Sequence, residues 1–330
     1  MQFQINQDIQ PQIKLSKKVQ LILCCPLCHS QLELYSEDYQ CQNPECKALF
    51  PIKNGIPILI DEKSSIFSIE DFLNQRNTFF DLSPKNPFLE ALKSFISEIS
   101  LNIKSKKNYK HLTEILLSLS THPKVLVIGG SILGQGTESI VNNPKIELVE
   151  TDVSFGTRTT IICDAHSIPF ANNSFDGVIV QAVLEHVVDP WQCVEEIHRV
   201  LKDNGLVYAE TPFMQQVHGG CYDFTRFTYL GHRRLFRKFE EIDSGAVCGS
   251  GMALAWSYYY FLLSFTKSKF WRKIITLLVR ITAFPLKYFD YFLIDRFGTL
   301  DAASAFYFIG KKSDQILTDQ ELIKLYKEAN

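Results

Sequence analysis

Hydrophobic positions switch from strand-like runs to helical spacing and back in the middle of the chain. The run Gly177 to Val180 is short, apolar and rich in β-branched residues, which predicts a buried strand. Asp189 and Pro190 are a typical helix start, and apolar residues then recur at helical spacing until the stop signal ending at Gly205. Leu206 to Ala209 predicts another strand. A strand, a helix and a strand in this order predict a crossover unit of a parallel sheet.

Further strands are predicted on both sides of this unit. Each is a short apolar run bounded by polar or turn residues. The predicted strands before the unit are residues 125–128, 146–152 and 161–162, and those after it are residues 239–247 and 303–312. Helical patterns separate several of them, which favours an α/β fold.

Residues 63–120 are mainly polar, with apolar positions at helical spacing. A break, Ser-Pro-Lys-Asn-Pro at residues 83–87, separates two apolar stripes. The stripes are Phe88, Leu89, Leu92, Phe95 and Ile96, then Leu112, Ile115, Leu116 and Leu119. We predict a helical linker that packs against its neighbours and tethers two domains.

Residues 250–296 are unusually apolar and aromatic, with basic residues between the apolar runs. Neither run has the length of a clean membrane span, and Arg280 and Pro285 interrupt the second. One interpretation is an inserted helical segment that packs on the core or closes a dimer. The other is contact with a membrane interface or an apolar acceptor. The tail, residues 313–330, predicts a short amphipathic helix.

Composition limits the classes of function. The 330 residues can form one large and one small domain, and 46% hydrophobic with 21% charged residues is typical of a globular chain. The net charge of -2 provides no basic field, which makes a nucleic-acid partner unlikely. The first residues lack a secretory pattern, and the nine cysteines suit a reducing compartment. We therefore expect a cytoplasmic protein, peripheral at the inner face of the membrane if residues 250–296 contact lipid.

Four cysteines near the N-terminus have the spacing of metal ligands. Two knuckles, separated by a short polar hairpin, lie within residues 20–62 and consist of Cys25, Cys28, Cys41 and Cys46. Four thiolates can hold one tetrahedral zinc ion, and so small a unit needs such a cross-link to fold. The alternatives are buried free thiols, or replacement of a ligand by Cys24 or His29. A closed four-Cys site predicts a structural role.

The same unit carries a family resemblance. Its knuckles and the closing motif Phe50-Pro51-Ile52-x-x-Gly55-Ile56-Pro57 resemble the zinc ribbons related to the small activator subunit of tRNA and release-factor methyltransferases. The spacing from Cys41 to Cys46 is wider than in the commonest form of the ribbon.

A second resemblance covers the central unit. Its motifs are an acid before a Pro-Phe pair, Asn-Ser-Phe-Asp, Leu-Glu-His, and Glu-Ile-His-Arg-Val-Leu-Lys-x-x-Gly. Together they resemble class I S-adenosylmethionine-dependent methyltransferases, and more narrowly the branch that includes the ubiquinone-biosynthesis methylases. The resemblance implies a Rossmann-like seven-stranded sheet with helices on both faces over residues 121–312, with the apolar helical insertion near its C-terminus.

The cofactor-binding residues are predicted along successive strand ends. The glycines of the turn after residues 125–128 let a ligand approach the backbone closely, and a strand-end acid suits ribose hydroxyls. The resemblance implies that Asp164 and Ala165, which follow the third strand, bind adenine. Gln181 stands at the carboxyl end of the fourth strand, where open α/β sheets bind ligands, and is therefore expected beside the cleft. These residues are Gly129, Gly130, Gly134, Asp152, Asp164, Ala165 and Gln181.

Two features leave alternatives open. Glu150 lies on the same face of its strand as Asp152 and is the reserve for the ribose acid. Val127 stands where the family commonly has an acid, which questions how the methionine amine is bound. Glu185 and His186 either face the cofactor or substrate cleft, or serve only to cap and pack a helix.

The loop after the fifth strand is expected to border the acceptor pocket, because it follows a strand's carboxyl end. It contains His218, Tyr222, Asp223 and Arg226 within a short span. Imidazole titrates near neutrality and suits a general base, whereas guanidinium binds anionic groups bidentately. His218 is therefore the predicted base toward an acceptor hydroxyl, and Arg226 the predicted ligand of a substrate anion. The alternative is that Asp223 and Arg226 pair only to shape the loop.

These features predict a methyltransferase with an N-terminal zinc ribbon, using S-adenosyl-L-methionine and a structural Zn²⁺. The expected acceptor is a small-molecule, glycan or lipid-linked hydroxyl. Two alternatives are methylation of RNA or a translation protein, and a non-catalytic module that only binds the cofactor.

Overall fold

The N-terminal unit is a small ribbon of antiparallel strands. The structure is a computed structural model that describes residues 13–79 and 98–326. A short helix precedes four strands, each of which pairs with the next. These elements are α1 (Lys17–Gln20), β1 (Leu32–Tyr35), β2 (Asp38–Cys41), β3 (Leu49–Lys53) and β4 (Ile56–Leu59).

The predicted linker contains two described helices, α2 (Ile69–Leu73) and α3 (Ser105–Leu119). The second predicted apolar stripe lies on α3, where Leu112 and Leu116 are buried and Leu119 is exposed. The first stripe lies in residues 88–96, outside the described residues.

The large domain is a seven-stranded mixed sheet. Its elements are β5 (Lys124–Ile128), α4 (Glu138–Val141), β6 (Glu147–Asp152), β7 (Ile161–Cys163), β8 (Phe175–Gln181), α5 (Pro190–Val200), β9 (Leu201–Pro212), α6 (Tyr229–Leu235), β10 (Phe239–Cys248) and β11 (Ala305–Lys312). The spatial order is β7-β6-β5-β8-β9-β11-β10, in which only β11 runs antiparallel to its neighbours. The predicted α/β fold is confirmed.

The crossover helix α5 begins where the sequence predicts. The Asp189 carboxylate accepts the amides of Trp191 and Gln192, and Pro190 is the first helical residue. One boundary was wrong: the chain enters β9 directly at Leu201, so the expected stop signal lies inside the strand. Leu201 can pair there with Phe175 because the ladder has an irregularity at this point.

The ribbon is joined to the large domain by strand pairing as well as by the linker. Strand β4 pairs in parallel with β7, through Ile58 with Ile162 and Leu59 with Cys163. All four residues of β4 are buried. The sheet therefore continues from the large domain into the ribbon as eleven strands.

Four helices form the insertion between β10 and β11. They are α7 (Ser250–Leu263), α8 (Lys269–Thr282), α9 (Leu286–Leu293) and α10 (Phe297–Ala302), and α11 (Asp319–Lys324) follows β11. The buried Asp290 carboxylate accepts the amides of Gly251 at 2.7 Å and Met252 at 3.0 Å, where the positive end of α7 favours an anion. Among the described residues, no helix has the length and apolar character needed to cross a membrane.

The insertion also exposes large apolar side chains. On α8, Val279 faces the protein, and the opposite side of the helix is apolar and open to solvent. The exposed residues on this side are Phe270, Trp271, Ile274, Leu277, Leu278 and Ile281.

Candidate cofactor cleft and acceptor site

One cleft of about 410 Å³ opens at the carboxyl ends of the parallel strands. This is the edge where open α/β sheets bind ligands. The structure brings all the predicted cofactor-binding residues to its wall, namely Gly129, Gly130, Gly134, Asp152, Asp164, Ala165 and Gln181.

The glycine turn is tightly built. Gly129 has φ +76°, and a Cβ atom there would lie 2.4 Å from Val183 Cγ2. A Cβ at Gly134 would lie 1.6 Å from Gln181 Oε1. The positive φ and the contact with Val183 exclude a side chain at Gly129, whereas a side chain at Gly134 would have to displace the Gln181 amide, so backbone atoms form this wall of the cleft.

Asp152 is the acid at the end of β6 that remains open to a ligand. It is buried, and its carboxylate accepts the Ser131 amide at 3.0 Å. Burial raises its pKa, although amide hydrogen bonds oppose the rise. Glu150, the reserve candidate, instead accepts Arg158 Nε at 2.6 Å in an ion pair. Of the two candidates for the ribose acid, Glu150 is thus committed to an ion pair and Asp152 is hydrogen-bonded by a backbone amide.

Asp164 is already held by two neighbours. It accepts Ser65 Oγ at 2.6 Å and His166 Nδ1 at 2.5 Å. His166 carries its proton on Nδ1, because its Nε2 accepts a hydrogen bond from the Asp189 amide at 2.9 Å. Burial acts to raise the pKa of Asp164, but the hydrogen bonds from His166 and Ser65 outweigh it and hold the pKa below its usual range.

Glu210, at the carboxyl end of β9, is a cleft residue that the sequence did not reveal. It is buried and accepts hydrogen bonds from four side chains. The donors are Ser105 Oγ at 2.7 Å, Gln181 Nε2 at 2.8 Å, Asn102 Nδ2 at 3.3 Å and the Tyr208 hydroxyl. In the described part of the chain, no cationic side chain forms an ion pair with it. Burial raises its pKa despite these donors.

The segment after the ribbon forms another unexpected part of the wall. Ile66, Phe67 and Phe79 line the cleft. The Phe79 ring lies 4.6 Å from the His186 ring, and the Phe67 ring lies 5.7 Å from that of Tyr222. Residues of the linker, which we expected to pack against its neighbours and to tether two domains, thus line the cleft.

In the loop after β9, Asp223 and Arg226 pair with each other, as the alternative prediction had it. The Asp223 side chain is 1% exposed and accepts the amides of His218 at 2.8 Å and Gly219 at 3.1 Å. Arg226 donates to Asp223 and to the carbonyls of residues 215, 216 and 225. All its donors are used within the loop, which does not support the predicted role of binding a substrate anion. These two residues instead fix the backbone that carries His218, and Tyr222 lines the cleft.

His218 lies beside the fully buried Glu185, whose Oε1 is 3.7 Å from His218 Nε2. Burial acts to lower the pKa of His218, but the Glu185 carboxylate outweighs it and keeps the pKa above its usual value. His186 also approaches Glu185, at 3.6 Å. His186 lines the cleft, whereas Glu185 is buried behind it, and neither residue caps a helix among the described elements.

The four predicted cysteine ligands meet in the ribbon. Their Sγ atoms all lie within 4.8 Å of one another, with 3.8 Å between Cys25 and Cys46 and 3.4 Å between Cys28 and Cys41. A tetrahedral zinc ion with Zn–S bonds of about 2.3 Å needs Sγ–Sγ distances of about 3.8 Å, so the cluster fits the ion. Cys24 lies outside the cluster, with its Sγ 4.0 Å from His29 Nδ1.

Comparisons with known proteins agree with this geometry. Residues 137–209 match the model of a methyltransferase domain, and residues 18–55 match that of Trm112p-like proteins. These matches define a protein with an S-adenosylmethionine-binding fold and a zinc-ribbon domain. The first match assigns residues 137–209 to a methyltransferase domain, and the second assigns residues 18–55 to a Trm112p-like zinc ribbon.

Individual relatives match parts of the chain. A demethylmenaquinone methyltransferase of Paenarthrobacter aurescens is 28% identical over 144 residues, 40% of this chain and 53% of that protein. The chain thus spans about half the length of this relative. A UPF0434 protein of Nitrosococcus oceani is 32% identical over 57 residues, 17% of this chain and 97% of that protein. The 1,6-didemethyltoxoflavin-N1-methyltransferase structure of Burkholderia thailandensis has a TM-score of 0.38 and 14% identity, covering 71% of this chain and 94% of that one. The narrower ubiquinone-methylase branch stays a prediction.

Proposed function

We propose that this protein transfers a methyl group from S-adenosylmethionine to a hydroxyl of a small, lipid-linked or glycan acceptor. The observation that carries the proposal is the position of His218. Its imidazole lies next to a buried carboxylate, in the loop that borders the cofactor cleft.

In this proposal, different residues along the cleft bind the cofactor and remove the acceptor's proton. Asp152 accepts hydrogen bonds from the ribose, and Asp164 with Ala165 binds adenine. When bound, the cofactor supplies an electrophilic methyl group on a cationic sulfur and leaves as S-adenosylhomocysteine. His218 Nε2 accepts the proton of the acceptor hydroxyl as the oxygen–methyl bond forms, and Glu185 stabilises the resulting imidazolium.

The missing acid at Val127 has a replacement in this arrangement. Glu210 and Gln181 lie at the end of the cleft nearest Gly134, where the methionine part of the cofactor is expected. Glu210 is a buried anion without a cationic partner among the described residues, so it favours the positive charges of the cofactor.

The exposed apolar insertion supports an acceptor that is carried by lipid. Helix α7 contacts the acceptor loop, since Tyr260 donates its hydroxyl to the Val217 carbonyl at 2.6 Å and Gln216 Nε2 donates to Ser257 Oγ at 3.2 Å. Residues 250–289 contain no acidic side chain but several basic ones. Apolar side chains beside basic ones suit an anionic lipid surface.

Cofactor binding is tested by calorimetry with S-adenosylmethionine and S-adenosylhomocysteine. We expect saturable binding by the wild type and a loss of at least tenfold in Asp152→Asn, because the charged acceptor for ribose hydroxyls is removed. The matched control is the exposed Asp203→Asn. If the folded, zinc-loaded protein binds neither compound, the proposal that it is an S-adenosylmethionine-dependent enzyme is refuted.

Acceptor class is tested by transfer of a tritium-labelled methyl group in a cell extract that is then separated into lipid, RNA and protein fractions. We expect label in the lipid fraction, and its loss in His218→Asn but not in the exposed His122→Asn. Label in RNA or protein would favour the second candidate, a macromolecular acceptor, which the Trm112p-like match supports.

Lipid contact is tested by flotation with phosphatidylcholine vesicles that contain or lack phosphatidylglycerol. We expect flotation with the anionic vesicles and its loss in Trp271→Ser, whereas Leu21→Ser, the control, changes a still more exposed apolar residue on the ribbon. Equal recovery of both variants with the vesicles would contradict the role of α8.

A further inference from the structure

Three potential metal ligands converge beside the cofactor cleft, outside the four-Cys cluster. Glu185 and His186 follow β8, and His218 comes from the loop after β9. Their ligand atoms lie within 4.8 Å of one another. Glu185 Oε1 is 3.6 Å from His186 Nε2 and 3.7 Å from His218 Nε2, and the two imidazole rings are 4.9 Å apart. The three atoms therefore surround a common point.

The hydrogen bonds of both histidines direct the same ring nitrogen toward this point. His186 Nδ1 faces the Tyr222 carbonyl at 2.7 Å, and His218 Nδ1 faces the Gln216 carbonyl at 3.3 Å. A carbonyl accepts only, so His186 Nδ1 carries a proton and, in the neutral ring, its Nε2 keeps a lone pair. His218 Nδ1 also has Arg226 Nη2 at 3.5 Å, but the Gln216 carbonyl is the nearer contact and favours the same tautomer. A backbone carbonyl on the second nitrogen is the usual support of a metal-binding histidine.

Glu185 supplies the charge. It is 0% exposed, and neither carboxylate oxygen accepts a hydrogen bond from the described residues. Arg226, in the same loop as His218, donates its hydrogen bonds to Asp223 and to backbone carbonyls and none to Glu185. A buried carboxylate without donors is costly unless a cation neutralises it.

The surroundings hold the three ligands in place. A Cβ at Gly219 would lie 2.6 Å from the His186 ring, so glycine makes room for that imidazole. The Phe79 ring packs against the other side of His186 at 4.6 Å. Asp223 fixes the backbone of His218 through two amides.

We propose that Glu185, His186 and His218 bind a divalent first-row transition metal ion, such as Mn²⁺ or Co²⁺. Two imidazoles and one carboxylate on one side of an ion, with open positions on the other, suit such ions, whereas four thiolates suit zinc. The catalytic role rests on the proposed function. An acceptor hydroxyl bound at an open position would lose its proton to water because the ion lowers its pKa. The oxygen–methyl bond then forms as the sulfur–methyl bond breaks. With the ion bound, His218 Nε2 is a ligand, and metal-assisted loss of the proton to water replaces the base that His218 provides in the metal-free site.

The test is titration of the zinc-loaded full chain with Mn²⁺, with the free ion measured by electron paramagnetic resonance. We expect one Mn²⁺ per chain in the wild type. Glu185→Gln and His218→Asn are each expected to weaken binding by at least about 100-fold, since each removes a direct ligand. His122→Asn is the matched control.

Co²⁺ provides a second readout, because nitrogen and oxygen ligands give weak visible bands without the strong thiolate charge-transfer bands of a four-Cys site. Circular dichroism checks that each variant is folded. The inference is overturned if neither ion binds beyond the four-Cys site, or if Glu185→Gln binds Mn²⁺ as the wild type does; the imidazolium of His218 then neutralises Glu185. Calorimetry with S-adenosylmethionine on the same samples separates this failure from failure of the proposed function.

Discussion

Replacing Glu210 with Gln removes one negative charge from the cofactor cleft and little else. Of the four donors on the carboxylate, the Ser105 and Tyr208 hydroxyls share one oxygen, and Gln181 and Asn102 share the other. Hydroxyls can rotate to accept, so the new amide NH₂ can face them while its oxygen still serves the two amide donors. We therefore expect Glu210→Gln to fold and to keep the shape of the cleft.

The charge itself has a calculable value for a cationic ligand. Two unit charges about 7 Å apart attract by roughly 2.4 kcal/mol at an effective dielectric constant near 20, which is about 50-fold in affinity. S-adenosylmethionine carries a sulfonium that S-adenosylhomocysteine lacks, and both carry the ammonium. Affinity for S-adenosylmethionine should fall by about this factor in Glu210→Gln, and affinity for S-adenosylhomocysteine should fall less.

Calorimetry with both ligands at pH 7.5 measures the two losses, and Glu114→Gln on the exposed side of α3 is the matched control. Equal losses of affinity for the two ligands would mean that Glu210 attracts only the ammonium, which both ligands carry, and not the sulfonium. Unchanged affinities would refute the reasoning, because burial would then raise the pKa of Glu210 enough to keep it protonated at this pH.

Three further changes test the ribbon, the glycine turn and a buried histidine. Cys28→Ser should reduce bound zinc from one ion per chain to none by elemental analysis, whereas the exposed Cys221→Ser should retain it; equal zinc content in both would contradict the four-Cys site. Gly134→Ala places Cβ where Gln181 Oε1 lies, so S-adenosylmethionine should bind roughly tenfold or more weakly by calorimetry; unchanged affinity would mean that the turn yields without cost. Burial lowers the pKa of His232 from 6.5 to about 3, so its contribution to stability is present above pH 6.5 and is lost as the pH falls toward 3. Urea unfolding should show a loss of roughly 2 kcal/mol between pH 7.5 and 5.0 that is absent in His232→Leu; the same pH dependence in both would refute the assignment.

Sequence reasoning succeeded where the signals are local. The crossover helix was predicted because Asp189 and Pro190 act within one turn, and the ends of the parallel strands were predicted because they meet at one edge of the sheet. The cleft residues from Gly129 to Gln181 followed from that edge. Their ligand roles remain predictions of the resemblance.

Glu210 could not be found in the same way. It lies in the run Leu-Val-Tyr-Ala-Glu-Thr, which reads as an apolar strand, and its donors Ser105 and Asn102 are more than 100 residues away along the chain. Only the fold shows that these donors convert a costly buried acid into a satisfied one. The one available signal was an acid at the carboxyl end of a predicted parallel strand.

The place of the ribbon was also beyond local patterns, and it changes how the two domains are related. An apolar β4 pairs with β7, and six residues beyond β4 comes Ser65, which donates to Asp164 at the expected adenine site. The residues that follow it, Ile66 and Phe67, line the cleft. Because one continuous backbone connects the four-Cys cluster, the sheet edge and the cofactor wall, loss of zinc should disturb cofactor binding as well as the ribbon. A tethered domain would leave the cleft intact under the same treatment, so the zinc dependence of S-adenosylmethionine affinity distinguishes the two arrangements.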